Sequence, residues 1–300
     1  MGVRGLQSFI KQHSAPKNLQ DLLAYSFRKQ RIGIDISYYI YKWQGDVERI
    51  IEFIKTLHVN GHRVVLAFDG RAEDGKQWEA QRRRLAREEE LKSAENIKTV
   101  LESSEIISNE QRMHLEQKVA EHQKRGWSIT RDLRSSIKLR LYEEKIPMIK
   151  AKSEADGLLA SMCANGILDI VISGDMDLLA MGSKLLWTPV DDGLSFREYN
   201  REDILQKLNL GDYQFRSMCA MCFTEASADP TIFDIRQAYQ AMRLFKNLTT
   251  IKQKHSDWLK IWPEDTHIFY RSIDKPEDWL RDDQLPIYKA YVNCEPMPYT

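Results

Sequence analysis

The sequence has little cysteine and no long apolar run. Four cysteines in 300 residues are too few and too irregularly spaced for a disulfide-stabilised secreted fold, which favours an intracellular protein. No stretch approaches the roughly 20 apolar residues that a membrane-spanning helix needs, and the N-terminus has no apolar signal-peptide core. We therefore expect no membrane association, and the sequence does not distinguish nucleus from cytoplasm.

A dedicated zinc or redox motif is also lacking. Cys219 and Cys222 form a C-x-x-C, but no second pair with zinc-ligand spacing accompanies it. The two cysteines lie in the apolar run Met218–Phe223, which is typical of a helix. We therefore expect buried thiols there rather than a metal or redox site.

Net charge is absent, because 44 Lys and Arg balance 44 Asp and Glu. A protein that binds nucleic acid nevertheless needs only a local basic stripe. The cations do cluster locally, and a solvated helix with ion pairs explains such clusters equally well when they are taken alone. One group is Arg82, Arg83, Arg84 and Arg87, and the other is Lys124, Arg125, Arg131, Arg134, Lys138 and Arg140.

Short apolar strands alternate with helical segments along the chain. Strands are expected at 31–36, 63–69, 146–149 and 169–173, and helices at 47–59, 76–125, 131–145 and from Ser153 onward, with Ser153 as the N-cap. This alternation predicts an α/β fold with a doubly wound, mostly parallel sheet and helices on both faces.

Six acids follow the predicted strands. In open α/β sheets ligands bind at the carboxyl ends of the strands, so these side chains should meet at one edge. Carboxylates gathered in one cleft repel each other and need cations, and oxygen ligands without His or Cys suit Mg²⁺ or Mn²⁺. Two such ions close together are a common catalytic centre for phosphodiester hydrolysis. The acids are Asp35, Asp69, Glu154, Asp156, Asp175 and Asp177.

Several dispersed segments over roughly residues 1–225 resemble the 5′-nuclease superfamily, which contains the flap endonucleases and XPG-type repair nucleases. The start Met1-Gly-Val-Arg-Gly-Leu6 is similar to that family's start, and Ile32-Gly-Ile-Asp35 and Phe68-Asp-Gly70 resemble two of its metal-binding strands. Ser153-Glu-Ala-Asp156 and Gly174-Asp-Met-Asp-Leu178 match its most diagnostic acidic segments. Together, in this order, the motifs are much more specific than any one of them.

The resemblance implies roles for individual residues. The six acids would hold two Mg²⁺ ions, Lys76 and Arg83 would neutralise charge at the scissile phosphate, and Tyr41 would stack on a base. Gly2 would lie near the site after removal of Met1. It also implies that residues 1–225 form the catalytic domain, with a helical arch at 84–130, and that 226–300 form a divergent helical region packed on the core.

Two departures from the family pattern stand out. Glu225 occupies the place of a further metal-site aspartate, and it can still bind a metal directly or through water. Residues 226–233 contain no glycine where the family has a Gly-Ile-Gly hairpin that grips duplex DNA. No sliding-clamp peptide is found in the C-terminal region.

The function implied is a Mg²⁺-dependent, structure-specific 5′-flap endo- or exonuclease acting on DNA. The alternative is a relative of the virion host shutoff ribonucleases, which would cut messenger RNA. These ribonucleases have a segment similar to Asp175–Gly182 and a similar glycine-poor region after the apolar helix. A catalytically inactive nucleic-acid-binding scaffold is a second alternative. It is disfavoured because every core acid is present, and buried acids without a metal are costly.

Overall fold

The computed structural model describes residues 3–24, 29–71, 77–103, 108–222, 233–254 and 275–294. In these ranges the strands form one mixed sheet with the order β1-β7-β6-β5-β2-β3-β4. Strands β4, β3, β2, β5 and β6 are parallel to one another. Strand β7 pairs antiparallel with β6, and β1 pairs antiparallel with β7. The predicted doubly wound, mostly parallel sheet is therefore confirmed. The strands are β1 (Ala15–Asn18), β2 (Arg31–Asp35), β3 (Arg63–Phe68), β4 (Met148–Lys150), β5 (Ile170–Ile172), β6 (Leu185–Val190) and β7 (Ser195–Asn200).

Helices connect and flank the strands. None of those in the described ranges is both long and apolar enough to cross a bilayer. The helices are α1 (Leu6–Ile10), α2 (Leu19–Ala24), α3 (Ile36–Lys42), α4 (Val47–Val59), α5 (Gln77–Ser103), α6 (Asn109–Gly126), α7 (Arg131–Glu143), α8 (Ala155–Ala164), α9 (Asp177–Met181), α10 (Arg201–Leu208), α11 (Asp212–Ala220), α12 (Ile235–Phe245), α13 (Leu248–Lys254) and α14 (Leu285–Asn293), with 3-10 turns at Lys11–His13, Pro276–Trp279 and Asp282–Gln284.

Two apolar cores lie on opposite faces of the sheet. Successive side chains of a strand point to opposite faces, and β3 shows this directly. Its residues Val64, Leu66 and Phe68 pack with α3, α4 and α7, whereas Val65 and Ala67 pack with α8, α9 and α11. Near-continuous burial along β2, β3 and β5 is what a parallel sheet covered by helices on both sides requires.

Local signals set the helix boundaries. Helix α4 coincides with the expected 47–59: Asp46 caps it by accepting from the Arg49 amide at 3.1 Å, and Gly61 follows it with a φ of +85°. The expected N-cap of α8 was wrong by one residue. Glu154 takes that place in extended conformation, because the Ser153 carbonyl is used instead to accept from the Gly70 amide.

The long charged segment forms a hairpin of two helices, α5 and α6. Glu90 contacts His122, with Oε2 and Nδ1 2.7 Å apart, and an added Cβ at Gly126 would be 3.2 Å from the carbonyl oxygen of Arg87. These contacts show an antiparallel pair. Whether this hairpin acts as the arch expected at 84–130 stays a prediction.

The segment 275–294 covers the outer edge of β4. The Lys152 amide donates to the Trp279 carbonyl at 2.7 Å, and the Lys150 amide donates to Oε1 of Gln284 at 2.9 Å. Trp279 is buried against Gly157 in α8. Helices α12 and α13 complete the described part of the C-terminal region, and Trp258 and Trp262 lie outside the described residues.

Candidate active site

The acidic side chains are brought to the carboxyl edge of the parallel strands. Asp35 is the last residue of β2, Asp69 follows β3, and Asp175 follows β5 after a two-residue turn. Glu154 is the N-cap of α8 after β4, and Asp156 lies in the first turn of that helix. Asp177 begins α9. The six predicted acids thus reach one side of the sheet, and we call this set the acid rim.

Two serine hydroxyls connect the acids, and sequence reasoning missed both. Ser37 Oγ donates to Oδ2 of Asp69 at 2.8 Å, while the Ser37 amide donates to Oδ1 of Asp35 at 3.0 Å. Ser173 Oγ donates to Oδ2 of Asp35 at 3.1 Å and accepts from the Asp175 amide at the same distance. Both serines lie two residues from an acid, which is a common spacing for local side-chain hydrogen bonds and the one available signal.

The N-terminal segment closes one side of the acid rim. The Val3 amide donates to Oδ1 of Asp177, and the Asp177 amide donates to Oδ1 of Asp175 at 2.9 Å. Val3 itself is buried in the core that contains α8 and α9. The start of the described chain therefore lies directly beside the acids.

Burial and mutual repulsion make Asp35 an unusual carboxyl group. Removal from water is the main cause that raises its pKa to about 7, and the charges of Asp69 and Asp175 add to the effect. The hydrogen bonds from Ser173 and Ser37 act in the opposite direction, since they stabilise the ionised form. The group therefore exchanges its proton near neutral pH.

Asp156 is more strongly perturbed, and one of its oxygens has no partner. Burial raises its pKa well above the ordinary value, and the charges of Asp175, Asp35, Asp69 and Glu154 raise it further. Its Oδ1 is buried without a hydrogen-bond donor. A buried acceptor left unsatisfied in this way costs free energy, so the position is suited to a cation.

The donor chemistry of the acid rim fits a hard divalent cation. Mg²⁺ and Mn²⁺ prefer carboxylate oxygens, and the unpartnered oxygen of Asp156 faces the field of four other acids. As the side chains are placed, no three Asp, Glu, His or Cys residues of the described ranges form a group that could hold one ion. Asp35, Asp69, Asp175 and Asp177 instead accept hydrogen bonds from the hydroxyl and amide donors described above.

A buried arginine pair supports α9 from behind. Arg201 Nε donates to the Leu179 carbonyl at 2.7 Å, and Arg216 Nη1 donates to the Met181 carbonyl at 3.1 Å. Both guanidinium groups also contact the carboxylate of Asp212, at 2.6 Å and 2.8 Å. Cations at the carboxyl end of a helix complement its dipole, so the pair stabilises the short helix that carries Asp177.

Two of the predicted substrate-binding and catalytic residues, Tyr41 and Arg83, lie at the base of the helical hairpin. Tyr41 is 45% exposed at the end of α3, and its ring meets Trp127 edge-on with centroids 5.6 Å apart. Arg87 of α5 donates to the Tyr41 hydroxyl at 3.4 Å, and its Nε donates to the Arg83 carbonyl at 3.0 Å. Arg83 is half-buried on the same helix. Its role and that of Tyr41 stay predictions.

Other predicted residues are not part of the described geometry. Gly2, Lys76 and Glu225 lie outside the described residues. Cys219 and Cys222 are buried free thiols, as expected, and burial raises the pKa of Cys222 to about 12 and that of Cys219 well above its ordinary value. Both thiols are therefore protonated and unreactive at neutral pH.

The chain is similar to known proteins in part of its sequence. The family model described as the XPG I-region matches residues 145–225, the range that contains Glu154, Asp156, Asp175 and Asp177. Flap endonuclease 1-B of Physcomitrium patens is 28% identical over 245 residues, a match that covers 74% of this chain and 66% of that protein. The chain spans 60% to 66% of the length of the first three curated relatives, all flap endonucleases.

Solved structures share the fold. The catalytic core of Rad2 in complex with DNA substrate matches with a TM-score of 0.59 and 17% identity, over 97% of this chain and 86% of that one. Flap endonuclease-1 from Methanococcus jannaschii matches with a TM-score of 0.55 and 15% identity, over 89% and 84% of the two chains. The chain is thus similar in sequence to flap endonucleases over about three quarters of its length, and it shares its fold with the solved Rad2 and flap endonuclease structures.

Proposed function

We propose that this protein is a Mg²⁺-dependent nuclease that cleaves branched DNA near a 5′ flap. The observation that carries the proposal is the acid rim, in which a buried oxygen of Asp156 has no partner and four further acids raise the pKa of that carboxyl group. Flap endonucleases among the relatives favour DNA as the substrate.

The acids would hold two divalent ions, with Glu225 as a further ligand. When bound, the ions would supply the charge that stabilises the attacking and leaving oxygens of phosphodiester hydrolysis. Ser37 and Ser173 keep Asp35 and Asp69 oriented through the hydrogen bonds they donate. The chain's own contribution would therefore be a set of oxygen ligands gathered at one edge of the sheet, two of them oriented by serine hydroxyls.

Cations and an aromatic ring would position the substrate. Arg83, and Lys76 before it in the chain, would neutralise charge that develops on the phosphate, and Tyr41 would stack on an unpaired base. The contact from Arg87 to the Tyr41 hydroxyl links the hairpin to α3, so the same element that carries Arg83 also holds the stacking ring.

A side-by-side cleavage assay tests this function. Purified protein with Mg²⁺ is offered a labelled 5′-flap DNA and a structured RNA, and we expect cleavage of the DNA that stops in excess chelator. Asp175→Asn should abolish cleavage while the unfolding transition remains cooperative, and exposed Asp203→Asn is the matched control. If the protein cleaves the RNA in preference to the DNA, the proposal is wrong and the protein is a host-shutoff-like ribonuclease. Full activity in chelator would exclude metal dependence.

A further inference from the structure

Three cations gather on the outer flank of the sheet, beside the acid rim. Arg134 and Lys138 are one turn apart on α7, so they share a helix face. Lys150 ends β4 in register with Phe68 of β3, which directs both side chains to the face that α7 covers. The Lys138 Nζ lies 4.6 Å from the centroid of the Phe68 ring. We call these three cations the flank cluster.

The members of the flank cluster repel one another. Burial is the main cause that lowers the pKa of Lys138, and the charges of Lys150 and Arg134 lower it further. All three side chains are only partly exposed. The three cations are therefore close enough for Lys150 and Arg134 to affect the ionisation of Lys138. Their mutual repulsion is unfavourable as long as no anion is bound.

No carboxylate of the described residues compensates this charge. Arg134, Lys138 and Lys150 form no ion pair there, whereas Arg140, on the same helix, contacts Glu48 and Glu144 within 2.8 Å. In the covering segment, Asp283, which precedes the Gln284 that contacts Lys150, is paired with Arg281 at 3.2 Å. The flank cluster therefore differs from a solvated helix surface with ion pairs, which was one of the two explanations of these cations from the sequence.

Its place in the fold connects it with the proposed chemistry. Phe68, which lies under Lys138, directly precedes Asp69, and Lys150 is followed within four residues by Glu154. Both strands end at the edge that carries the acid rim, and β4 is the outermost strand on this side. A substrate strand that leaves the acids towards β4 would pass over the three cations.

We propose that Arg134, Lys138 and Lys150 form a binding site for backbone phosphate groups of the nucleic-acid substrate, outside the acid rim. The proposal rests on the proposed function, because it assigns the anion to the same substrate. Ammonium and guanidinium groups without carboxylate partners are the groups that neutralise phosphates in protein–nucleic acid complexes. Such contacts fix the register of the strand on the protein and do not read its sequence.

The salt dependence of binding tests the proposal. Labelled flap DNA is titrated in chelator, so that no cleavage occurs, and the dissociation constant is measured over a series of salt concentrations. Lys138→Gln/Lys150→Gln should reduce the slope of log K against log salt by about 1.8, since each phosphate contact contributes about 0.9. At about 0.1 M salt this corresponds to a loss in affinity of up to roughly 60-fold.

Two matched double variants serve as controls. Lys11→Gln/Lys207→Gln removes two exposed charges near β1 and β7, at the opposite edge of the sheet, and should leave the slope unchanged. Lys138→Arg/Lys150→Arg retains both charges and should bind like the wild type. A loss of slope as large in the first control as in the test variant would overturn the proposal, because it would show a general effect of net charge. An unchanged slope in the test variant would also overturn it.

A second arm separates nucleic acid from small anions. Thermal unfolding of the wild type is followed with inorganic phosphate against chloride at equal ionic strength. If phosphate alone stabilises the wild type but not Lys138→Gln/Lys150→Gln, and the DNA slope does not change, the cluster binds free anions and the strand assignment is wrong. Cleavage of flap DNA by the wild type with Mg²⁺ is measured separately. DNA binding with the expected slope but no cleavage would reject the proposed function and leave this inference intact.

Discussion

The replacement Asp35→Asn should make the metal-free protein more stable at alkaline pH. In the folded protein the pKa of Asp35 is raised from 3.8 to about 7, mainly by burial and then by Asp69. The folded state therefore binds more protons than the unfolded state between these two pKa values, and stability falls as the pH rises through this window. Above the folded pKa the whole penalty is present.

The magnitude follows from the size of the shift. A shift of about 3 pKa units corresponds to about 4 kcal/mol at the upper limit, and this energy is shared with the neighbouring acids. Between about pH 5.5 and about pH 8 the wild type should lose about 2 kcal/mol of unfolding free energy from this group. Asparagine keeps the oxygen that accepts from the Ser37 amide, so the start of α3 should survive.

Urea unfolding in chelator at these two pH values measures the effect. The difference between Asp35→Asn and the wild type is decisive, because the lowered pKa values of half-buried His58 and buried His62 act in the opposite direction in both proteins. Exposed Asp203→Asn is the control for loss of a surface charge. If Asp35→Asn shows the same pH dependence as the wild type, the carboxyl group is not buried as described. Mg²⁺ should flatten the wild-type dependence, since it relieves the same repulsion.

Two further stability predictions concern packing and a buried charge pair. Gly157→Ala places a Cβ 2.0 Å from the Trp279 ring and should lower the free energy of unfolding in urea by about 1–3 kcal/mol. Adding Trp279→Leu to this variant should recover part of the loss. If the losses of the two single variants are additive in the double variant, the contact is contradicted. Asp212→Ala leaves Arg201 and Arg216 without their shared carboxylate and should cost about 2 kcal/mol, less than for a fully buried pair because Asp212 is half exposed. Asp212→Asn should lose less than Asp212→Ala, and equal unfolding midpoints for all three proteins would refute the role of the ion pair.

The central strands and the positions of the acids were predictable from sequence because they depend on local patterns. Apolar runs ending in Asp35 and Asp69 indicate buried strands, and the topology of a parallel sheet then places the acids at one edge. Strands β1, β6 and β7 were not predicted. Burial alternates in β1 and is interrupted in β7, whereas β6 is buried through its middle. Pro16 in β1 and Pro189 in β6 obscure the strand pattern, because proline within a run argues against a central strand.

Contacts between distant segments were beyond sequence reasoning. The hydroxyl bonds from Ser37 and Ser173 and the contact of the Val3 amide with Asp177 depend on side-chain placement across 32 to 174 residues of chain. The flank cluster is a similar case: its cations were visible as part of a charged helix, but Lys150 joins them only through the sheet register. The intracellular location and the roles of Gly2, Lys76 and Glu225 stay predictions.

The way in which the segment 275–294 covers β4 affects how the chain can be shortened. Ala151 pairs with Leu280, and the amides of Lys150 and Lys152 donate to partners in this segment. A protein that ended before residue 275 would present an unprotected strand edge, with free amides beside the apolar face that Trp279 covers. Such edges template association between molecules. Fragments that end at residue 225, where the XPG I-region match ends, should therefore aggregate during refolding, even though every acid of the rim is retained.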